Sequence, residues 1–283
     1  MTDGLHSGEP DEARQAIAAT FDRTAETYDA VGVEFFGTFA EQLLDDVGSI
    51  SGQAVLDVGC GRGAVLFPAA ERVGATGSVL GIDLSAGMIA RTAQDIEDRG
   101  LTNATAMVMD GQEPVLPGRS FDTILSSCVV FFLPDPIAGL RAWHDLLAPG
   151  GRIGLTTFGK KDPRWAGVDD VIAPFVPPAI IWAIINPASP FATSESFDRT
   201  LESVGFVKPN SVERQHAITF TDPDHWISWS WSHGQRIFWE LVPEDRLDEV
   251  RAEVRKRLEP LCEPDGSLTL IQTVRYTVAE RAA

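Results

Sequence analysis

The chain has 283 residues, 44% of them hydrophobic, and carries 41 acidic against 23 basic side chains for a formal charge of −18. That hydrophobic share belongs to a packed globule rather than a disordered chain, and the length allows one large domain or one domain with a cap. So acidic a balance argues against nucleic acid and anionic membrane surfaces as partners, because affinity for polyanions comes mainly from neutralising phosphates.

Three scattered cysteines, Cys60, Cys128 and Cys262, make neither a disulfide framework nor a zinc site. No metal is expected, and the compartment is expected to be reducing. Met1 to Ala16 is polar and acidic, with neither the basic nor the apolar region of a secretory signal. The longest apolar stretch, Val171 to Ile185, is broken by Pro174, Pro177 and Pro178 and is shorter than the ~20 residues of a spanning helix. A soluble, cytoplasmic protein without membrane insertion is expected.

Residues 1–12 read as a frayed tail. Helical spacing then places Ile17 and Phe21 on one helix and Phe35, Phe39, Leu43, Leu44 and Val47 on another, with a break near Tyr28 and Gly32. Ala54-Val55-Leu56-Asp57-Val58 is a buried strand by its unbroken apolar run, followed by a helix over 64–73. The alternation continues with strands at 79–83, 104–109, 121–126 and 152–158 and helices at 86–99 and 136–147; Gly100 and Pro149-Gly150-Gly151 act as stops. This rhythm predicts a parallel sheet with helices on both faces.

After Phe158 the rhythm breaks. Residues 160–193 are rich in Pro, Trp and Ile without a clean period. A helix over 196–204 ends at Gly205, and period-two strands follow at 211–220 and 268–279. Between those strands Asp222-Pro223 opens a helical stretch to Leu241, and a second helix shows Leu247, Val250, Val254, Leu258 and Leu261 on one face.

The chemistry concentrates at the strand ends. Gly59, Gly61 and Gly63 alternate where the first strand turns into a helix, allowing positive φ and close approach of a ligand. The spacing is not that of dinucleotide-binding loops, and Asp57 just ahead of the turn suits a ligand with an ammonium group. Asp83 ends the second strand, 22 residues after Gly61, where an acidic residue holds ribose hydroxyls; Asp110 ends the third, placed for an adenine amino group. Alternating glycines alone also make a tight turn, and a lone strand-end Asp also caps a helix. Three carboxylates on the ligand-binding edge of one sheet favour a site.

These motifs, with Ser120-Phe121-Asp122 and Leu147-Ala148-Pro149-Gly150-Gly151-Arg152, resemble the class I S-adenosylmethionine-dependent methyltransferases over roughly residues 54–158. The likeness is nearest to the branch of ubiquinone/menaquinone-biosynthesis and natural-product enzymes. It implies a Rossmann-like α/β sheet, mostly parallel with an antiparallel C-terminal strand, under a helical cap. The implied parts are N-terminal helices over 1–50 closing on the cofactor, a cofactor core over 51–159, a hydrophobic lid over 160–195, and sheet over 196–283 with a helical insertion at 222–262. The resemblance also implies that Asp57 organises the methionine ammonium site, with backbone exposed at Gly59 and Gly61. Asp83 would hold the ribose, Leu84 and Met88 would pack on the adenine, and Asp110 and Gly111 would read its edge. Ser127 and Tyr28 match further cofactor-contacting positions, whereas Arg62 stands where many relatives carry Thr or Ser.

For the acceptor, the histidines are the first candidates, since their pKa lies near working pH. His6 lies in the tail and His144 in a helix packed on the sheet. The catalytic candidates are His216, on a strand face with Val212, Ile218 and Phe220, and His233, placed with Trp226 at i and i+7 in a tryptophan-rich helix. Each also reads as an ordinary core histidine. Trp165, Phe175, Ile180, Ile181, Trp182, Ile184, Ile185 and Phe191 suggest a lid over an apolar pocket, or the interface of a homodimer. The expected acceptor is an apolar or aromatic small molecule of the polyketide, quinone or terpenoid kind, methylated on O, C or N. A non-methylating cyclisation on the same fold is the alternative. Methylation of a macromolecule is weaker, because Ser126-Ser127-Cys128-Val129 stands where adenine-amino methylating enzymes carry Asn/Asp-Pro-Pro-aromatic.

Overall fold

A computed structural model describes residues 10–178, 181 and 186–283. Helices α1 (Pro10–Thr24) and α2 (Phe36–Val47) precede β1 (Ala54–Val58), α3 (Leu66–Val73), β2 (Ser78–Asp83), α4 (Ala86–Asp98), β3 (Ala104–Val108), β4 (Phe121–Ser127), α5 (Pro136–Leu146) and β5 (Leu147–Phe158). Then come α6 (Ala166–Ile172), α7 (Ser194–Ser203), β6 (Phe206–Phe220), α8 (Pro223–Trp231), α9 (Arg236–Trp239), α10 (Leu247–Leu258) and β7 (Leu268–Arg281). The seven strands form one sheet in the order β3-β2-β1-β4-β5-β7-β6. Only β7 runs antiparallel to its neighbours, so the expected Rossmann-like sheet with its antiparallel C-terminal strand is present.

Strand β1 lies at the centre, and Val55, Leu56 and Val58 are each at most 1% exposed because helices cover both faces. Helix α2 sits directly on β5, where Gly154 makes room: a Cβ there would stand 2.4 Å from Val47 Cγ2. Helix α4 begins at Ser85, whose hydroxyl accepts the Met88 N–H at 3.0 Å and donates to Asp22 of α1 at 2.6 Å. Asp22 also accepts the Gly87 N–H at 2.8 Å, so α1 helps cap α4. Among the described residues no helix is long and apolar enough to cross a membrane.

Three elements depart from the expected pattern. Strand β5 starts at Leu147, because Pro149-Gly150-Gly151 forms an irregular lead-in, with a register shift against Phe121–Thr123, rather than a free loop. Strand β6 starts at Phe206; a bulge between Val207 and Asn210, with Lys208 at φ 51°, hides its first residues from a period-two search. The single helix expected to Leu241 is split. The hydroxyls of Ser230 and Ser232 bond back to the carbonyls of Ile227 and Trp229, α8 ends at Trp231, and Gly234 follows. His233 therefore lies in a break between helices rather than on a helix face with Trp226.

The β5–β7 pairing ends at Phe158–Val274, whereas β6 and β7 stay paired to Phe220–Leu268. This ribbon rises past the sheet's carboxyl edge and carries α8, α9 and α10. On α10, Val250, Val254 and Leu258 are buried, as their spacing predicts. Trp165, in a turn before α6, packs on Phe220 and Trp226 with ring centroids 6.4 and 5.5 Å apart. Ile180, Trp182, Ile184 and Ile185 of the expected lid lie outside the described residues.

Candidate functional site

The loop after β1 and the ends of β2 and β3 build one half of the site. Gly59 has φ 71°, and a Cβ on it would meet Val129 Cγ2 at 2.4 Å, so only glycine fits beside the turn after β4. Gly61 has φ 49° with nothing within 4 Å of where its Cβ would be, and its N–H donates to Asp83 Oδ2 at 2.9 Å. Asp83 accepts the Ser85 N–H at 2.8 Å on its other oxygen. Burial raises the Asp83 pKa, while these two N–H groups oppose the rise.

Asp57 is 1% exposed and its Oδ2 has no hydrogen-bond partner. Burial first, then the neighbouring Asp83 charge, pushes its pKa up to about 8. A buried carboxylate oxygen without a partner is rare, and a cation placed against it removes both penalties. Asp110 accepts the Gln112 N–H at 2.8 Å, and its second oxygen lies 3.4 Å from Arg14 Nε of α1. The Gly111 carbonyl accepts the Trp143 indole N–H at 2.6 Å, which fixes that backbone. Met88 is buried, Leu84 is half-buried, and the Ser127 hydroxyl shares a 2.8 Å hydrogen bond with Thr156. The unpartnered Asp57 oxygen, the glycine cradle and the two further carboxylates fit a cofactor bearing an ammonium group, a ribose and an adenine.

The segment after α1 closes over this half. Tyr28 stacks on Phe36 at 4.9 Å and 15°. Its hydroxyl pKa is raised by burial first and then by Cys128, Asp29 and Asp83. Arg62, the departure seen in the sequence, ties this segment down: its guanidinium donates to the Ala25 carbonyl at 2.7 Å and to Asp95 at 2.8 Å.

Beyond Phe36 lies a cluster of packed aromatic rings. Phe35 packs on Phe39 at 4.6 Å and Trp229 at 5.0 Å, and Trp229 packs on Phe220 at 5.1 Å. His233 is 5% exposed, 4.2 Å from Trp229 between ring centroids, and parallel to Phe35. Phe36 meets it edge-on at 5.9 Å, so the rings of Tyr28, Phe36 and His233 form a continuous line of contacts. Burial alone lowers the His233 pKa to about 3. His216 is engaged otherwise: its Nε2 shares a 2.8 Å hydrogen bond with the Tyr276 hydroxyl, and its ring packs on Phe39 at 5.0 Å. Burial and then Arg214 lower its pKa. The residues a sequence reading misses are Phe35 and Phe36 and the turn that frees His233. Their only signal is aromatic density in Phe35–Phe39 and Trp226–Trp239. Among the described residues no three His, Cys, Asp or Glu side chains are grouped to hold a metal ion.

Residues 55–151 match the methyltransferase domain family. The chain is 40% identical over 270 residues to nocamycin O-methyltransferase of Saccharothrix syringae, covering 90% of this chain and 95% of that protein. It is 38% identical over 205 residues to aklanonic acid methyltransferase DauC of Streptomyces sp. (strain C5), covering 69% and 93%. A solved phosphoethanolamine N-methyltransferase of Haemonchus contortus, bound to phosphomonomethylethanolamine and S-adenosylhomocysteine, has a TM-score of 0.55 at 17% identity, over 87% of this chain and 53% of that one. That likeness shows the fold. The first two show more: this chain belongs to the S-adenosylmethionine-dependent methyltransferases.

Proposed function

We propose that the protein methylates an acidic oxygen of an apolar, aromatic small molecule, using S-adenosylmethionine, in a natural-product pathway of the polyketide kind. The observation that carries this reading is the aromatic cluster that continues ring by ring from Tyr28 through Phe36 to His233. One relative is named for O-methylation and the other for an acid, which supports oxygen over carbon or nitrogen.

In this reading the cofactor supplies an electrophilic methyl group on a cationic sulfur. Asp57 receives its ammonium on the free Oδ2, and Gly59 and Gly61 let the backbone come close. Asp83 holds the ribose hydroxyls with the lone pairs its N–H partners leave free. Asp110 and Gly111 face the adenine edge, Leu84 and Met88 its ring, and Ser127 lines the end of β4. Tyr28 covers the pocket and helps exclude water. The aromatic cluster then positions the acceptor oxygen, and positioning is the main catalytic task in an in-line displacement. Buried free thiols at Cys60 and Cys128 suit a reducing, cytoplasmic setting.

The test is incubation with S-adenosylmethionine carrying a labelled methyl group and a panel of aromatic carboxylic acids, phenols and amines. Label in the carboxylic acids or acidic enols supports the reading. Label only in amines, or an acceptor consumed without gain of a methyl group, overturns it in favour of another atom or a cyclisation.

A further inference from the structure

Phe21, Asp22 and Arg23 lie in the last turn of α1, and successive residues of a helix point about 100° apart. Each reaches a different part of the molecule. The Phe21 ring meets Phe132, in the turn after β4, edge-on at 5.5 Å, and Tyr28 at 6.3 Å. Gly234, between α8 and α9, rests on the rings of Phe21 and Phe132: a Cβ there would stand 3.6 Å from Phe21 Cζ and 3.4 Å from Phe132 Cζ. Asp22 turns to the cofactor half. Its Oδ1 accepts the Ser85 hydroxyl and the Gly87 N–H, and the Ser85 N–H donates in turn to Asp83 Oδ1. Arg23 turns to the cap formed by α8, α9 and α10. Its Nε and Nη2 donate to Glu240 Oε1 and Oε2 at 2.9 and 2.5 Å. Arg236 of α9 completes a ring, donating to Glu240 Oε1 at 2.7 Å and to the Arg23 carbonyl at 3.3 Å.

One rigid turn makes all three contacts, so they form and break together. Glu240 follows Trp239, which is 1% exposed and bonded through its indole to Ser230 of α8, so the ring of charges bears on the core of the cap. At the other end, a ribose held on Asp83 steadies the Ser85 turn to which Asp22 is bonded. The loop after β1 adds a second tie, from the Arg62 guanidinium to the Ala25 carbonyl. We infer that the last turn of α1 couples the cofactor pocket to the cap, with Asp22 and Arg23 as positioning residues, so that the cap closes when the cofactor is in place. This coupling holds whichever atom of the acceptor receives the methyl group, and so goes beyond the methylation reading.

The Arg23 and Glu240 side chains are 45% and 27% exposed, so the clasp opens without leaving a charge buried and unpaired. That suits a contact that must release for ligands to exchange. Coupling of this kind is reciprocal: the factor by which a bound cofactor favours the closed cap is the factor by which a closed cap tightens the cofactor. A half-exposed ion pair limits that factor to about fivefold, the equivalent of about 1 kcal/mol. Salt reduces it, since the Debye length falls from about 10 Å at 0.1 M to about 3 Å at 1 M.

The test reads the cap by amide hydrogen exchange, with S-adenosylhomocysteine as the probe and protein freed of carried-over cofactor. In wild type, saturating S-adenosylhomocysteine should slow exchange across α8 and α9 by about fivefold at about 0.1 M salt and by less at about 1 M, a comparison that needs no variant to fold. Arg23→Met should still bind S-adenosylhomocysteine in a calorimetric titration, weaker by no more than about fivefold, while its cap no longer responds. Arg23→Lys, which keeps the charge, should recover most of the response. Asp22→Ala breaks the clasp at its cofactor end and should uncouple the cap as well. Cap exchange in wild type that ignores S-adenosylhomocysteine, or a response that is the same at both salt concentrations, overturns the inference. So does a cap in Arg23→Met or Asp22→Ala that exchanges faster by one factor with and without the ligand, because α1 is then a structural support alone. The expected responses without methyl transfer to any acceptor overturn the proposed function and leave the coupling standing.

Discussion

Replacing Asp57 by Asn should stabilise the empty protein and weaken its cofactor binding. The carboxyl is buried, one oxygen is unpartnered, and its pKa stands at about 8 against an ordinary 3.8. Between those two values the folded chain holds a proton that the unfolded chain releases. Stability from this group is therefore fully present below pH 3.8 and is lost as pH rises towards 8. At pH 7 the loss spans 7 − 3.8 = 3.2 units, or roughly 4 kcal/mol at about 1.36 kcal/mol per unit. Asparagine resembles the protonated form and does not titrate, so thermal denaturation of the variant should match wild type near pH 4 and exceed it increasingly up to pH 8. The same shift makes cofactor binding expel a proton. An ammonium against Oδ2 favours the carboxylate, so calorimetry at pH 7 in buffers of different ionisation enthalpy should show about 0.9 proton released per site. The variant should release none and bind S-adenosylhomocysteine about 10- to 100-fold more weakly, the range for a hydrogen bond to a charged group. Parallel stability profiles for the two proteins, or binding without proton release, would refute the reasoning that Asp57 is held protonated for a cation.

Asp83→Ala should weaken S-adenosylhomocysteine binding by roughly 1.5–3 kcal/mol; unchanged affinity in a titration would remove the ribose assignment, since Asp83 also anchors the Gly61 and Ser85 N–H groups. Gly59→Ala should cost roughly 1–3 kcal/mol of stability from positive φ and overpacking, read by urea denaturation. Adding Val129→Ala should restore part of it, because Val129 is what the new methyl group strikes. Arg275→Met should destabilise the protein by roughly 1–3 kcal/mol, as expected when the hydrogen bonds of one buried guanidinium are lost and its acceptors are left unsatisfied. Arg275 ties β7 to Glu213 at 2.7 Å, to the Phe191 carbonyl at 2.9 Å and to Ser194 at 3.1 Å, and denaturation with an intact sheet signal would check it.

Much of the cofactor half was legible because it is local in sequence. A strand, a glycine turn and a strand-end carboxylate each occupy a few consecutive residues, and parallel alternation carries their ends to one edge. The bulge in β6 and the lead-in to β5 escaped because both interrupt a period without changing composition. The helix break before His233 escaped for a different reason. Serines inside a tryptophan-rich stretch read equally well as helix, and their back-bonded hydroxyls show only once the chain is folded.

What the sequence determined by itself, then, was the sheet, its order of helices and strands, and the cofactor class, since the residues responsible lie within short windows of residues 54–158. Tertiary structure alone decided the aromatic cluster. Phe35, Phe36, Trp165, Phe220, Trp226, Trp229 and His233 come from segments up to 198 positions apart, and no spacing rule connects them. It also decided the state of each polar group there. Whether a carboxyl near 3.8 rises to about 8, or an imidazole near 6.5 falls to about 3, depends on which distant side chains exclude water from it, and that is a property of packing.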